Sequence, residues 1–205
     1  FYVEEGTRYQ HKLASKSSGR TLTREFSAGG VVFKKIQDPN PPSTSSGSRA
    51  ESRDKVQTLW LVTKSAPSDV VSKTAWRLPK GRLDDTNEDE PGPLARGERK
   101  ASEEEIQKAA LKEVKEEGGV DAKIVKKIGT ARYFFTWQSK KILKFVTFYL
   151  MKYVRDLPEG HDQETEEVVW LPIEDARKKL SYSSERKVLD KAKEILDRGI
   201  QGNLI

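Results

Sequence analysis

One strongly bounded helix constrains this chain more than any other stretch of it. Ser102 with Glu105 three residues on is a capping-box signature, and Gly118-Gly119 supplies the stop. The pattern predicts a helix over about 103–117. Its last turn and a half carries Glu113, Glu116 and Glu117. Carboxylates are favoured at helix starts, where the dipole attracts them, and cost stability near the end. At about 100° per residue the three span roughly 100° of arc. Ile106, Ala109 and Ala110 fall in or beside that arc, whereas Lys108, Lys112 and Lys115 lie away from it. The three acids are therefore expected to face the body of the protein. Two unit charges about 6 Å apart repel by roughly 3 kcal/mol at an effective dielectric near 20. Three such groups turned inward need raised pKa values or a counter-ion, and a hard divalent cation such as Mg²⁺ satisfies them with oxygen ligands. From the helix alone, a solvated Glu/Lys face stays open as the alternative.

The text around this helix is extended. REFSAGGVVFKKI (Arg24–Ile36) and TLWLVTK (Thr58–Lys64) read as strands, and AWRLPKG (Ala75–Gly81) as an extended segment ended by proline and glycine. After the helix, Ala122–Trp137 and Lys141–Tyr153 read as a hairpin joined through Gln138–Lys140, and Glu167–Pro172 as a further short strand. Phe134, Phe145 and Phe148 are assigned to the core. Helical text closes the chain, IEDARKKL and then SSERKVLDKAKEILDRG. Strands, a helix, more strands and then helices predict an α+β fold, an α/β/α sandwich. Residues 1–22 are expected as a flexible N-terminal tail and 23–205 as one domain. Two polar insertions are expected in it, at about 37–55 and 82–101.

Composition narrows the class. No cysteine occurs, so disulfides and thiolate metal sites are excluded, and two histidines, His11 and His161, cannot make a His-rich metal site. No apolar run is long enough to span a membrane as a helix. The chain begins at Phe1 rather than Met, so the true N-terminus is not assumed, and what is present carries no signal-peptide pattern. A cytoplasmic protein without a membrane partner is expected. The net charge of +6 is spread as lysines among glutamates, with no long basic run. It predicts no obligate nucleic-acid partner.

LPKG, then Glu104, then seven residues, then KEVKEEGGV resembles the Nudix box, G-x5-E-x7-R-E-U-x-E-E-x-G-U with U aliphatic. Glu104, Glu113, Val114, Glu116, Glu117, Gly119 and Val120 occupy its E, E, U, E, E, G and U positions. Two departures stand out. The arginine of the pattern is Lys112, which keeps the charge but loses the planar two-pronged grip that orients a neighbouring glutamate. Gly81 is separated from Glu104 by 22 residues where the pattern has five, and Gly97 is one residue too far to serve instead. Arg82–Ala101 is accordingly read as an inserted surface loop, with Asp84, Asp85, Glu88, Asp89 and Glu90 solvated.

The resemblance implies a Nudix α/β/α sandwich with a mixed sheet and Mg²⁺-assisted hydrolysis of a phosphoanhydride, with Mn²⁺ as a possible substitute. It implies Glu113, Glu116 and Glu117 as catalytic residues, and Gly81 with the same three glutamates as metal ligands. Glu164, Glu166 and Glu167 are further candidates for a ligand or base. The flanks EFSAGGVVFK, Trp76–Gly81, YFFTW, KFVTFYLMKY and VVWLPIEDARKKLSY are similar to the diadenosine polyphosphate hydrolase branch. That branch implies a nucleotide or polyphosphate substrate such as diadenosine tetraphosphate, with Lys80, Lys144, Tyr133 and Tyr182 as substrate-binding candidates. Enzymes acting on nucleoside triphosphates, including oxidised ones, on diphosphoinositol polyphosphates or on RNA 5′ ends are alternatives. A non-catalytic nucleotide-sensing module is another, favoured only by Lys112.

Overall fold

The computed structural model describes residues 22–37, 56–67, 74–83, 92–137 and 140–202. Its elements are β1 (Leu22–Gln37), β2 (Val56–Ser65), β3 (Trp76–Arg77), β4 (Lys80–Arg82), α1 (Pro93–Arg96), α2 (Glu103–Gly118), β5 (Val120–Trp137), β6 (Lys140–Asp156), β7 (Thr165–Pro172), α3 (Ile173–Lys179) and α4 (Ser183–Gly202). The seven strands form one mixed sheet in the order β3-β2-β1-β6-β5, with β4 also pairing β1 and β7 pairing β2. β1 and β6 run parallel from Leu22 opposite Lys141 to Phe33 opposite Lys152; the other pairings are antiparallel.

Alternation along β1 divides the interior into two cores. Ala28 and Val32 point to one face and meet Ala110 and Val114 of α2 with Leu61, Tyr149 and Met151. Val31 and Phe33 point to the other and meet Trp60, Leu78, Phe148 and Leu150, closed by Ala176 of α3 and Leu189 and Ala192 of α4. Burying side chains of this size stabilises by about 1.5–3 kcal/mol each. The expected α/β/α sandwich with a mixed sheet is the architecture observed. Gly30 lets α2 approach: a Cβ there would overlap Val114 Cγ2.

The helix bearing the acids forms as its ends predict. Glu105 N–H donates to Ser102 Oγ at 3.1 Å and Ser102 N–H to Glu105 Oε2 at 2.7 Å. Gly119 ends the helix in the left-handed region at φ 63°, its N–H bonded to the Lys115 carbonyl. Phe134 and Phe145 correct the expected core: Phe134 is 60% exposed on β5, and Phe145 is half-buried, stacked on Phe26 at 5.3 Å outside both cores, whereas Phe148 is fully buried. The Arg82–Ala101 segment is also not wholly a surface loop. Leu83 and Leu94 are buried, and α1 ends on Gly97 at φ 79°. Asp84, Asp85, Glu88, Asp89 and Glu90, residues 1–21, residues 38–55 and residues 138–139 lie outside the described residues. No helix among the described residues is long and apolar enough to cross a membrane.

Candidate active site

The site is built where β4, pinned to β1 through Gly81 opposite Ala28, passes the C-terminal half of α2. At Gly81 a Cβ would overlap the Glu113 carboxylate, so a side chain there would have to displace it. The close approach identifies Gly81, and not Gly97, as the glycine that works with the helix. Gly97 has only Arg24 Nη1 near it, at 3.7 Å.

Glu113 and Glu117 are buried at this contact, one helical turn apart. Burial comes first among the causes that push the Glu113 carboxyl up to about 8, followed by the charges of Glu117 and Glu116, with Lys112 opposing and Glu164 adding to the rise. Glu117 is also raised by burial, against the pull of Lys80 and Arg77; its Oε2 accepts the Lys80 main-chain N–H at 2.8 Å, and Asp162 adds to the rise. Two neighbouring carboxyls in this setting titrate as a pair. Glu116 departs from the expected inward face: it is exposed and ion-paired with Lys112 at 3.8 Å. That long, single-pronged contact is the consequence of lysine at the position the motif gives to arginine.

A loop after β6 completes this end of the site. Asp162 N–H donates to the Glu116 carbonyl at 2.8 Å, and Leu157 N–H to the Gly119 carbonyl at 2.9 Å. The loop thereby brings Glu164 into the field of Glu113. Glu166 instead pairs with Lys64 at 2.8 Å, and Glu167 is exposed on β7. Of the three later acids, Glu164 alone bears on the helix glutamates.

A cationic group stands on β6. Lys144 is deeply placed on β6, and burial, then the nearby charge of Lys80, pushes its ammonium down to about 8; Glu25, 3.8 Å away, opposes this, and Arg82 and Arg77 add to it. Lys80 Nζ is 2.8 Å from Glu185 Oε1, so its charge is engaged inside the protein rather than offered to a ligand as expected. Tyr133 packs half-buried against the α4-side core. Tyr182 is 45% exposed in the connection to α4, next to Ser181, whose N–H and Oγ bond the main chain of Trp76.

Glu185, Glu25, Arg77 and Asp162 belong to this neighbourhood and went unseen in the sequence. For Glu185 a signal exists: it continues the stripe of Val188, Leu189 and Ala192 at helical spacing, so a carboxylate stands on an apolar face. Glu25, Arg77 and Asp162 have no such signal, because only strand pairing and loop docking bring them near.

The donor set fits a divalent cation. Two buried carboxylates disfavour their own charged forms, a third stands at the rim, and Gly81, lacking a side chain, lets the main chain come up against the Glu113 carboxylate. Among the described residues, no three carboxylate or imidazole side chains are already gathered around one point.

Fold and site together define a Nudix-type domain. Residues 51–192, more than half of the chain, match the NUDIX domain family, and the chain belongs to it. Among curated proteins it is 29% identical over 189 residues to the "Putative mutator protein MutT4" of Mycobacterium tuberculosis (strain CDC 1551 / Oshkosh). The alignment covers 90% of this chain but spans only 62% of that relative's length. Among solved structures it is similar to a NUDIX hydrolase from Nitrosomonas europaea, with a TM-score of 0.51, 14% identity, and coverage of 83% of this chain and 88% of that one. A C. elegans Ap4A hydrolase binary complex gives a TM-score of 0.50 and 18% identity, covering 84% and 98%. At these identities the structures bear on the fold alone.

Proposed function

We propose that this chain is a divalent-cation-dependent phosphoanhydride hydrolase acting on a dinucleoside polyphosphate such as diadenosine tetraphosphate. The observation that carries the reading is the Glu113–Glu117 pair, buried against Gly81 at a cost to the charged forms that a bound cation relieves. Glu113, Glu116, Glu117 and the Gly81 carbonyl would hold Mg²⁺, with Mn²⁺ able to substitute. A bound Mg²⁺ supplies neutralisation of phosphate oxygens and acidification of water.

The chain's own groups do the rest. Lys144, with Lys80, Arg82 and Arg77 near it, is the cationic group on β6 that would offset polyphosphate charge. Water adds across one P–O–P linkage, its proton passing to a carboxylate; Glu164, in the field of Glu113, is the loop candidate beside the helix acids. From diadenosine tetraphosphate the products are ATP and AMP. Exposed Tyr182 would offer an aromatic face to a base, and half-buried Tyr133 is the second candidate for such a contact. The sequence similarity of the flanking segments to the diadenosine branch supports the substrate class. The 29% relative, named a mutator protein, favours a second reading, in which the substrate is a nucleoside triphosphate, including oxidised ones.

One panel separates these. The protein is incubated with Mg²⁺ and dinucleoside polyphosphates, nucleoside triphosphates, ADP-ribose, diphosphoinositol phosphates and triphosphorylated RNA. Preferred release of two nucleotides from the dinucleoside substrate is expected. Preferred cleavage of a triphosphate selects the second reading. No release from any, with Glu117→Gln behaving like the parent, leaves a non-catalytic module.

A further inference from the structure

Glu185 is a fully buried carboxylate lying outside the metal-binding motif, on α4, the helix that closes the opposite core. A charge in that position is tolerated only if fully partnered. Its two oxygens hold one short segment at two points. Oε2 accepts the Leu78 main-chain N–H at 2.8 Å, and Oε1 lies 2.8 Å from Lys80 Nζ as an ion pair without hydrogen-bond geometry. Lys80 Nζ turns back to the Leu78 carbonyl at 3.4 Å, closing the loop on itself. The same segment meets α2 and β1 with its remaining groups. Lys80 N–H donates to Glu117 Oε2, the Pro79 carbonyl accepts from Gly30 N–H at 3.0 Å, and Gly81 follows against Glu113. Leu78–Gly81 is thus a four-residue bridge with α4 holding one side and the acids of α2 the other.

We propose that Glu185 is a positioning residue, which clamps the Leu78–Gly81 bridge and thereby fixes Glu117 and Gly81 in the arrangement that binds a divalent cation. The proposal rests on the functional reading above for its kinetic consequence, but not for its effect on cation binding. Without the clamp the Pro79–Lys80 peptide is held only from β1, through Gly30 N–H and the pairing of Lys80 with Gly29, and the hydrogen bond that orients Glu117 is loosened. Groups that orient metal ligands from behind typically carry about 10–100-fold in affinity.

The test uses Mn²⁺ alone as probe, with its Kd read from the spin-resonance signal of the free ion and from calorimetry on the whole chain. Glu185→Gln keeps an acceptor for Leu78 N–H but releases Lys80. It is expected to raise the Mn²⁺ Kd about 10-fold or more. With the preferred polyphosphate substrate at saturating Mg²⁺ it should lower kcat by a similar factor while KM stays within about twofold, since a misplaced group affects turnover before binding. If Glu185→Gln fails to fold, the pair Lys80→Met with Glu185→Leu decides. It leaves the net charge unchanged, fills the space with apolar side chains, and removes both arms of the clamp. It too should bind Mn²⁺ at least about 10-fold more weakly. Parental Mn²⁺ affinity in a folded variant overturns the proposal and makes the pair a packing feature only. A parent that hydrolyses nothing in the panel defeats the functional reading, while the Mn²⁺ comparison still decides this one. A parent that binds no Mn²⁺ defeats both.

Discussion

Replacing Glu113 by glutamine should make the metal-free protein more stable at alkaline pH. The Glu113 carboxyl rises from 4.5 in an unfolded chain to about 8 in the fold, first through burial and then through Glu117 and Glu116. A group that holds its proton more tightly when folded stabilises the fold fully below pH 4.5. That contribution is lost progressively as pH rises towards 8. At about 1.36 kcal/mol per pH unit the full span is about 5 kcal/mol. The residue keeps 9% of its surface exposed, and solvent screening reduces this to roughly 2–3 kcal/mol. Glutamine is neutral throughout, so parent and variant should unfold alike near pH 4.5 and separate by that amount near pH 8.5. Urea unfolding at pH steps in EDTA measures it. Glu117 is raised in the same direction and remains in the variant, so the pH slope flattens without vanishing. Mn²⁺ should reverse the order at pH 8.5, stabilising the parent and not the variant. Identical stability–pH curves for the two proteins would refute the argument that Glu113 is buried at electrostatic cost.

Gly81→Ala should lower turnover by about 100-fold, because the new Cβ must displace the Glu113 carboxylate; near-parental kcat would show that this contact is not needed. Lys112→Arg should raise turnover a few-fold by gripping Glu116 with two prongs in place of the single 3.8 Å contact; an unchanged or lower rate speaks against an orienting role. Lys144→Met removes an ammonium pushed down from 10.5 to about 8, chiefly by burial. Such a base disfavours the fold most below pH 8 and is relieved as pH rises towards 10.5. The variant should therefore be more stable by about 1–2 kcal/mol at pH 7, with the difference shrinking by pH 10 in denaturant melts, while KM for a polyphosphate rises.

The helix of acids was legible because every feature that defines it is local. Its cap, its glycine stop and its three glutamates lie within 18 residues, from Ser102 to Gly119. Strand positions were legible for the same reason, and helical spacing on α4 already contained the clue to Glu185. Phe134 was misassigned because a run of aromatics does not reveal that the outer end of β5 is uncovered on its face. Glu116 was expected to turn inward because a 100° arc is wide enough for one edge to reach solvent. Arg77, Glu25 and Asp162 depend on contacts across the sheet or along a docked loop, and no spacing rule encodes those. β1 shows the same limit from the other side. It lies before the segment that matches the family, yet it pairs with β2, β4 and β6 at the centre of the sheet.

The most direct test of the central claim compares kcat/KM for diadenosine tetraphosphate and a nucleoside triphosphate in Mg²⁺, for the parent and Glu117→Gln. The account predicts that the parent prefers the dinucleoside substrate, yielding ATP and AMP. It also predicts that Glu117→Gln loses at least about 100-fold, since it removes a buried ligand rather than a surface charge. Equal rates for parent and variant on either substrate would contradict it.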